Sequence, residues 1–189
     1  CTTDDPVDDL ACHKAIRASG LATRVFPTFR PDKALNVDQP AVFNPWVDKL
    51  AAAANVEISN LAGFLDALKR RHDFFHEMGG RLSDHGLDHC FAAFCTEAVA
   101  AKIFAKARGG KAATPEEREQ FASFLMLHFG RLDAEKGWTK QIHLGALRNT
   151  NTRSFRSIGA DKGFDSIGDW PQAAALCAIG IFGLTAFSA

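Results

Sequence analysis

The stretch Gln141-Ile142-His143-Leu144-Gly145-Ala146-Leu147-Arg148-Asn149-Thr150-Asn151 decides how this chain is read. An apolar run delivers a histidine, a glycine turn follows, and an arginine and polar amides come next. A strand that ends in such a cluster ends in a pocket. Three further strand-like runs close in the same manner, at Thr2-Thr3-Asp4-Asp5, at Thr28-Phe29-Arg30-Pro31-Asp32 and at Ser83-Asp84-His85. Four polar strand ends in one chain imply one shared active-site rim.

Working outward from these ends, helices fill the intervals. Val7 to Ser19 reads as helical, with Asp4 or Asp5 as cap, Pro6 in the first turn and Gly20 beyond its end. Arg24 to Phe29 is a short apolar strand. Asn44 to Ala54 and Ile58 to Met78 carry apolar residues at three- and four-residue steps, and Gly79-Gly80 stops the second. Arg81 to His85 is the next strand. Thr96 to Ala107 is helical. Thr114-Pro115-Glu116-Glu117 places cap, proline and early acids in the favoured order and opens a long helix to Lys136. Trp138 to Leu144 is the last strand. The order β-α-β-αα-β-αα-β predicts an α/β fold with a parallel sheet and helical insertions.

The chain has 189 residues, enough for one sizeable core. Its 22 basic and 22 acidic residues balance, which argues against a nucleic-acid or membrane-surface binder. Five cysteines without a C-x-x-C pair imply free thiols in a reducing, cytoplasmic setting. With no tyrosine present, no phenol serves as acid or base. The sequence opens at Cys1, directly in what reads as a strand end. It closes on an uncharged run, Cys177 to Ala189, too short for a transmembrane helix of about 20 apolar residues. The organisation expected is one domain over residues 1–175 and an atypical apolar tail over 176–189, frame-shifted or truncated.

Each polar cluster has a functional and a structural reading. His143 is either a neutral imidazole that binds a metal or substrate oxygen and moves a proton, or a histidine hydrogen-bonded at the rim. Arg30 either grips a substrate carboxylate in bidentate fashion or pairs with Asp32 or another loop acid. Asp84-His85 can do acid–base work or orient a ligand. His72 and His76, four apart on a helix, can share zinc, but Lys69, Arg70 and Arg71 before them suit a solvated face. His85 and His89 share that spacing, interrupted by Gly86. Asp4-Asp5 can hold a cation or cap a helix. Asp165 and Asp169 can touch a ligand or close turns. There is no phosphate-cradling glycine loop, G-x-S-x-G or zinc-type cysteine set.

Taken together, Thr2-Thr3-Asp4-Asp5-Pro6, Arg30-Pro31-Asp32-Lys33-Ala34, Leu82-Ser83-Asp84-His85-Gly86-Leu87-Asp88, Ile142 to Asn149 and Gly163-Phe164-Asp165-Ser166-Ile167-Gly168-Asp169 resemble uronate (glucuronate) isomerase of the amidohydrolase superfamily. The resemblance runs from about Thr2 to Ala175. It implies a partial, distorted (β/α)8 TIM-type barrel with helical insertions, covering about strands three to six. It also implies aldose–ketose isomerisation of hexuronates, D-glucuronate to D-fructuronate and D-galacturonate to D-tagaturonate, in the whole enzyme. By the same resemblance Asp84 and His143 are catalytic, and Arg30 and Arg148 bind substrate.

Those residue types suit the chemistry. Moving a proton between C2 and C1 through an enediol needs an acid–base group, groups that polarise oxygen and a cationic clamp for the carboxylate. The family's divalent metal, zinc or similar, resembles a site built from a His-x-His pair on the first strand and an aspartate on the eighth. This chain has no His-x-His. No metal ligand is therefore expected here, and the chain is expected to be inactive alone. The partner implied is a hexuronate, without nucleic acid or membrane, and the whole enzyme can be a homo-oligomer. Two other readings stand beside this one: a metal-dependent hydrolase of the same superfamily, and a non-catalytic remnant that binds a sugar acid.

Overall fold

The computed structural model describes residues 1–186, with the side chains described through residue 179. Its centre is a parallel ladder between β1 (Leu82–Leu87) and β2 (Thr139–Leu144), in register from Leu82 opposite Thr139 to Leu87 opposite Leu144. Two earlier segments extend it by single parallel bridges, Phe29 to Ser83 and Asp4 to Phe29. The lateral order is thus Asp4, Phe29, β1, β2, which is also chain order, as expected for parallel strands joined by helical crossovers.

The Arg24-to-Phe29 strand is extended chain whose only bridge position is Phe29. It still exchanges backbone bonds with its neighbour: Thr2 N–H donates to Phe26 C=O, Asp4 N–H to Thr28 C=O, and Arg30 N–H to Asp4 C=O. Pro27 lies within it and has no N–H to add to a ladder.

Seven helices pack around this sheet among the described residues. They are α1 (Ala11–Ala18), α2 (Pro40–Ala54), α3 (Leu61–Glu77), α4 (Glu97–Arg108), α5 (Pro115–Glu135), α6 (Thr152–Ile158) and α7 (Ala173–Ala186). The capping signals at α4 and α5 act as the sequence implies. Thr96 caps α4 through Val99 N–H, and Thr114 and Glu117 form a reciprocal capping box on α5. Asn60 caps α3 through Gly63 N–H, three residues inside the expected start at Ile58.

The first helix is a correction. It begins at Ala11 rather than Val7, because three aspartates fold the preceding segment into local turns. Asp5 accepts from Val7 N–H, Asp8 from Leu10 N–H and Asp9 from Ala11 N–H. Side chains that offer the backbone such bonds compete with helix. Arg71 then pins this loop. Its guanidinium donates to the carbonyls of Pro6, Asp8 and Ala53 at 2.7, 2.7 and 3.1 Å and lies over the Phe74 ring. The expected solvated face at Lys69-Arg70-Arg71 is therefore split, with Arg71 buried and its two neighbours exposed. Also unforeseen are the 3-10 turn Asp32–Leu35, α6, and the short antiparallel pair β3 (Ala146–Leu147) and β4 (Ser166–Ile167).

The core is aromatic. Phe29, Phe43, Phe64, Phe75, Phe91, Phe104, Phe121 and Phe129 are fully buried. Phe29, on the helix side of the sheet, meets Phe75 and Phe129 edge-on at 5.3 and 6.2 Å. Removing one such ring costs about 3–5 kcal/mol, so the backbone beside Phe29 is held firmly, and Arg30 is the next residue. The tail expected over 176–189 begins inside α7, and its last three residues lie outside the described ones. Among the described residues no helix is long and apolar enough to cross a membrane.

Candidate functional site

The sheet has two unlike faces. Phe29, Ser83, His85 and Lys140 look toward α3 and α5, where they meet buried rings or the carboxylate of Asp133. Since side chains alternate along a strand, Arg30, Asp84, Gly86, Gln141 and His143 belong to the opposite face. All four polar strand ends come together at its C-terminal edge. A cavity of about 400 Å³ there is lined by Thr3, Asp4, Asp5, Arg30, Asp32, Lys33, Gly86, Arg148 and Asp161. A second hollow, of about 210 Å³, shares Asp32, Gly86 and Arg148 with it.

Arg30 enters this edge directly after buried Phe29. Its Nε donates to Asp32 Oδ2 at 2.8 Å, and Nη1 lies 3.4 Å from Asp84 Oδ2. The acid pairing weighed from the sequence is therefore real, and it leaves other guanidinium N–H groups for the cavity. Asp32 Oδ2 also accepts from Gly86 N–H at 2.9 Å. Burial raises the Asp32 carboxyl above its usual range, and the hydrogen bond from Arg30 works against that rise.

Gly86 is a residue that sequence reasoning missed as a site element. A Cβ at this position would fall inside the Arg30 guanidinium and 3.2 Å from Arg148 Nη2. The two guanidiniums thus converge over a bare backbone. Like charges placed so close repel, and the arrangement is relieved by neighbouring carboxylates or by an anionic ligand.

Arg148 is held from the other side. Its Nη1 donates to Asp165 Oδ2 at 2.7 Å, and Asp165 Oδ1 accepts from Asn149 N–H at 2.8 Å. The pairing of β3 with β4 brings these two loops together. Asp165, read from the sequence as a ligand contact or a turn residue, spends its hydrogen bonds on positioning Arg148. The backbone N–H of Asn149 and the Arg148 guanidinium hold its carboxyl below the usual range.

Asp84 is 5% exposed, and its Oδ1 has no hydrogen-bond partner among the described residues. His143 does not line the cavity. It is exposed on β2, cross-strand from Gly86 and two positions beyond the Asp84 partner Gln141. Asp84 and His143 thus share a face of adjacent strands, one two-residue step of about 7 Å apart along them.

The remaining histidine candidates are engaged structurally. His72 Nε2 meets Asp133 Oδ1 at 3.1 Å, and the ring lies 4.0 Å from that of Trp138. His76 Nδ1 accepts from Trp138 Nε1 at 2.9 Å. His89 sits between Asp88 and Glu119. Asp4 meets Thr2, His13 and Thr28 N–H, while Asp5 meets Lys33, Trp46 and Val7 N–H. Among the described residues no three His, Cys, Asp or Glu side chains converge as a metal site. The donors present do not fit a divalent metal.

A family model described as glucuronate isomerase matches residues 1–180. A uronate isomerase of Solibacter usitatus is 69% identical over 176 residues, which cover 93% of this chain and 38% of that protein. One from Opitutus terrae is 60% identical, covering 93% and 37%. The chain therefore spans a little over a third of the length of these curated relatives. The crystal structure of a Thermotoga maritima uronate isomerase superposes with a TM-score of 0.87 at 34% identity, covering 96% of this chain and 41% of that one. That of a Caulobacter crescentus glucuronate isomerase superposes with a TM-score of 0.81 at 27% identity, covering 94% and 37%.

Proposed function

The chain belongs to the glucuronate isomerase family, and from that premise we propose that it supplies the carboxylate-binding side of a hexuronate isomerase active site. The fold reading that goes with this is a partial (β/α)8 barrel, in which the four parallel segments are strands three to six. The whole enzyme interconverts D-glucuronate with D-fructuronate and D-galacturonate with D-tagaturonate.

The observation that carries the proposal is the convergence of Arg30 and Arg148 over Gly86. Two planar guanidiniums over half-buried backbone, each with N–H groups left over beside its own carboxylate partners, suit a small carboxylate that accepts from both. A neutral sugar offers no such gain. With the C6 carboxylate anchored there, the hydroxyls of the open-chain sugar extend along the Asp84–His143 face. Isomerisation removes a proton from C2, passes through an enediol and returns a proton to C1. Asp84 and His143 orient the sugar oxygens or shuttle those protons.

Calorimetry tests the clamp directly. Titrating D-glucuronate into the protein is expected to release heat of binding, and D-glucose, which lacks the carboxylate, none. Arg30→Gln is expected to remove the glucuronate signal. Equal binding of both sugars would sink the clamp, as would a silent glucuronate titration. With zinc or manganese added, the 189-residue chain is expected to form no fructuronate, because it has no His-x-His pair.

A further inference from the structure

On the far side of the sheet from the cavity lies a run of polar groups that the clamp leaves unexplained. Asp133 on α5 accepts from Ser83 Oγ at 2.7 Å and lies 3.4 Å from Lys140 Nζ. Lys140 Nζ is 3.0 Å from His85 Nε2. His85 is fully buried, with its ring stacked near that of Phe129 at 5.7 Å. Its Nδ1 lies 3.8 Å from Asp32 Oδ1, and neither of these two atoms has a hydrogen-bond partner among the described residues. Asp32 in turn holds Arg30 Nε and Gly86 N–H.

Elementary donor chemistry orders this chain. Burial lowers the Lys140 pKa, and the Asp133 carboxylate at 3.4 Å opposes that and favours the ammonium. An ammonium donates only, so His85 Nε2 is the acceptor and the ring proton sits on Nδ1. Burial, with Lys140 and Arg30 adding their positive charges, keeps the ring neutral. The Nδ1–H then lies beside an Asp32 oxygen, 3.8 Å from Nδ1, that has no hydrogen-bond partner among the described residues. The separation is too long for a hydrogen bond, but a low-dielectric interior makes the charge–dipole attraction count. Asp32 cannot turn away from Arg30 without losing it.

We propose that His85, as its neutral Nδ1–H tautomer, is a positioning residue that orients Asp32 and, through Asp32, fixes the plane of Arg30 over Gly86. This rests on the carboxylate-clamp reading for its purpose, but not for its geometry. The tautomer is set from behind by Lys140 and Asp133, so α5 takes part in aligning an arginine on the opposite face of the sheet.

Nitrogen NMR of the imidazole in the unliganded protein is the first test. A proton on Nδ1 with a bare Nε2 is expected. A proton on Nε2, or on both nitrogens, overturns the inference. A pair of variants supplies the second, read by solvent exchange of the Arg30 Nε–H. His85→Asn keeps an N–H near the Nδ1 position and is expected to keep that proton protected. His85→Gln moves its amide toward the Nε2 position, and exchange is expected to quicken about tenfold, as for loss of one buried polar contact. Equal behaviour of the two variants overturns the positioning role. Glucuronate affinity should follow the same order. If the unsubstituted protein binds no glucuronate, the clamp falls, while tautomer and exchange still decide the role of His85.

Discussion

The two faces of the sheet use similar residues to opposite ends. On the helix side, Ser83, His72 and Lys140 converge on Asp133, and every member has a neighbour within about hydrogen-bond reach. On the open side, Arg30 and Arg148 crowd together over Gly86, and one oxygen of Asp84 has no partner among the described residues. A polar network whose charges are paired within the core holds structure, whereas guanidiniums crowded at the edge of a cavity are poised for a ligand.

The largest effect is expected from breaking the closed side. Asp133→Ala strands Lys140, His72 and Ser83 in a buried setting, and should cost about 3–4 kcal/mol in a denaturant titration. A loss below about 1 kcal/mol would mean that the network is not structural. Next comes acid. Burial holds His128 down at about 4, and His85 is held well below 6.5. The unfolded chain therefore binds more protons than the folded one below about pH 6.5. Stability is full above that pH and falls as pH drops toward 4, by about 2 kcal/mol for His128 alone after allowance for its partial exposure. His128→Gln should flatten the slope of melting temperature against pH over that window.

On the open side the effects move from stability to binding. Gly86→Ala places a methyl group where the Arg30 guanidinium lies, and the flexible arginine yields. Glucuronate affinity should drop about tenfold while the unfolding midpoint changes by less than about 1 kcal/mol. The reverse pattern would assign Gly86 to folding rather than to the clamp. The smallest change is expected from Asp165→Asn, which loosens Arg148 at an exposed position. It should weaken glucuronate binding about threefold and leave stability within about 0.5 kcal/mol.

How legible these features are in the sequence depends on the range over which their cause acts. Helices α4 and α5 announce themselves because caps and early acids act within one turn, and Thr114 and Glu117 form the expected box. The start of α1 is misread because three aspartates compete for the same backbone, and Arg71, more than 60 residues away, decides between the alternatives. Arg30 and Arg148 stand out as cations beside strand ends. Gly86 does not, since a glycine in a strand gives no sign of the side chains that will lie across it. His85 reads as the neighbour of Asp84 or the partner of His89, because Lys140, which sets its tautomer, arrives from the adjacent strand more than 50 residues later.

By itself the sequence determined the order of strands and helices, the polar strand ends and the family, since each rests on local pattern or on motif. Only the tertiary structure decided which groups face the helices and which face the cavity, that two arginines share one glycine, and that a buried histidine stands behind their carboxylate. Those outcomes depend on strand register and crossover packing, and a register shift of a single residue would have exchanged the two faces.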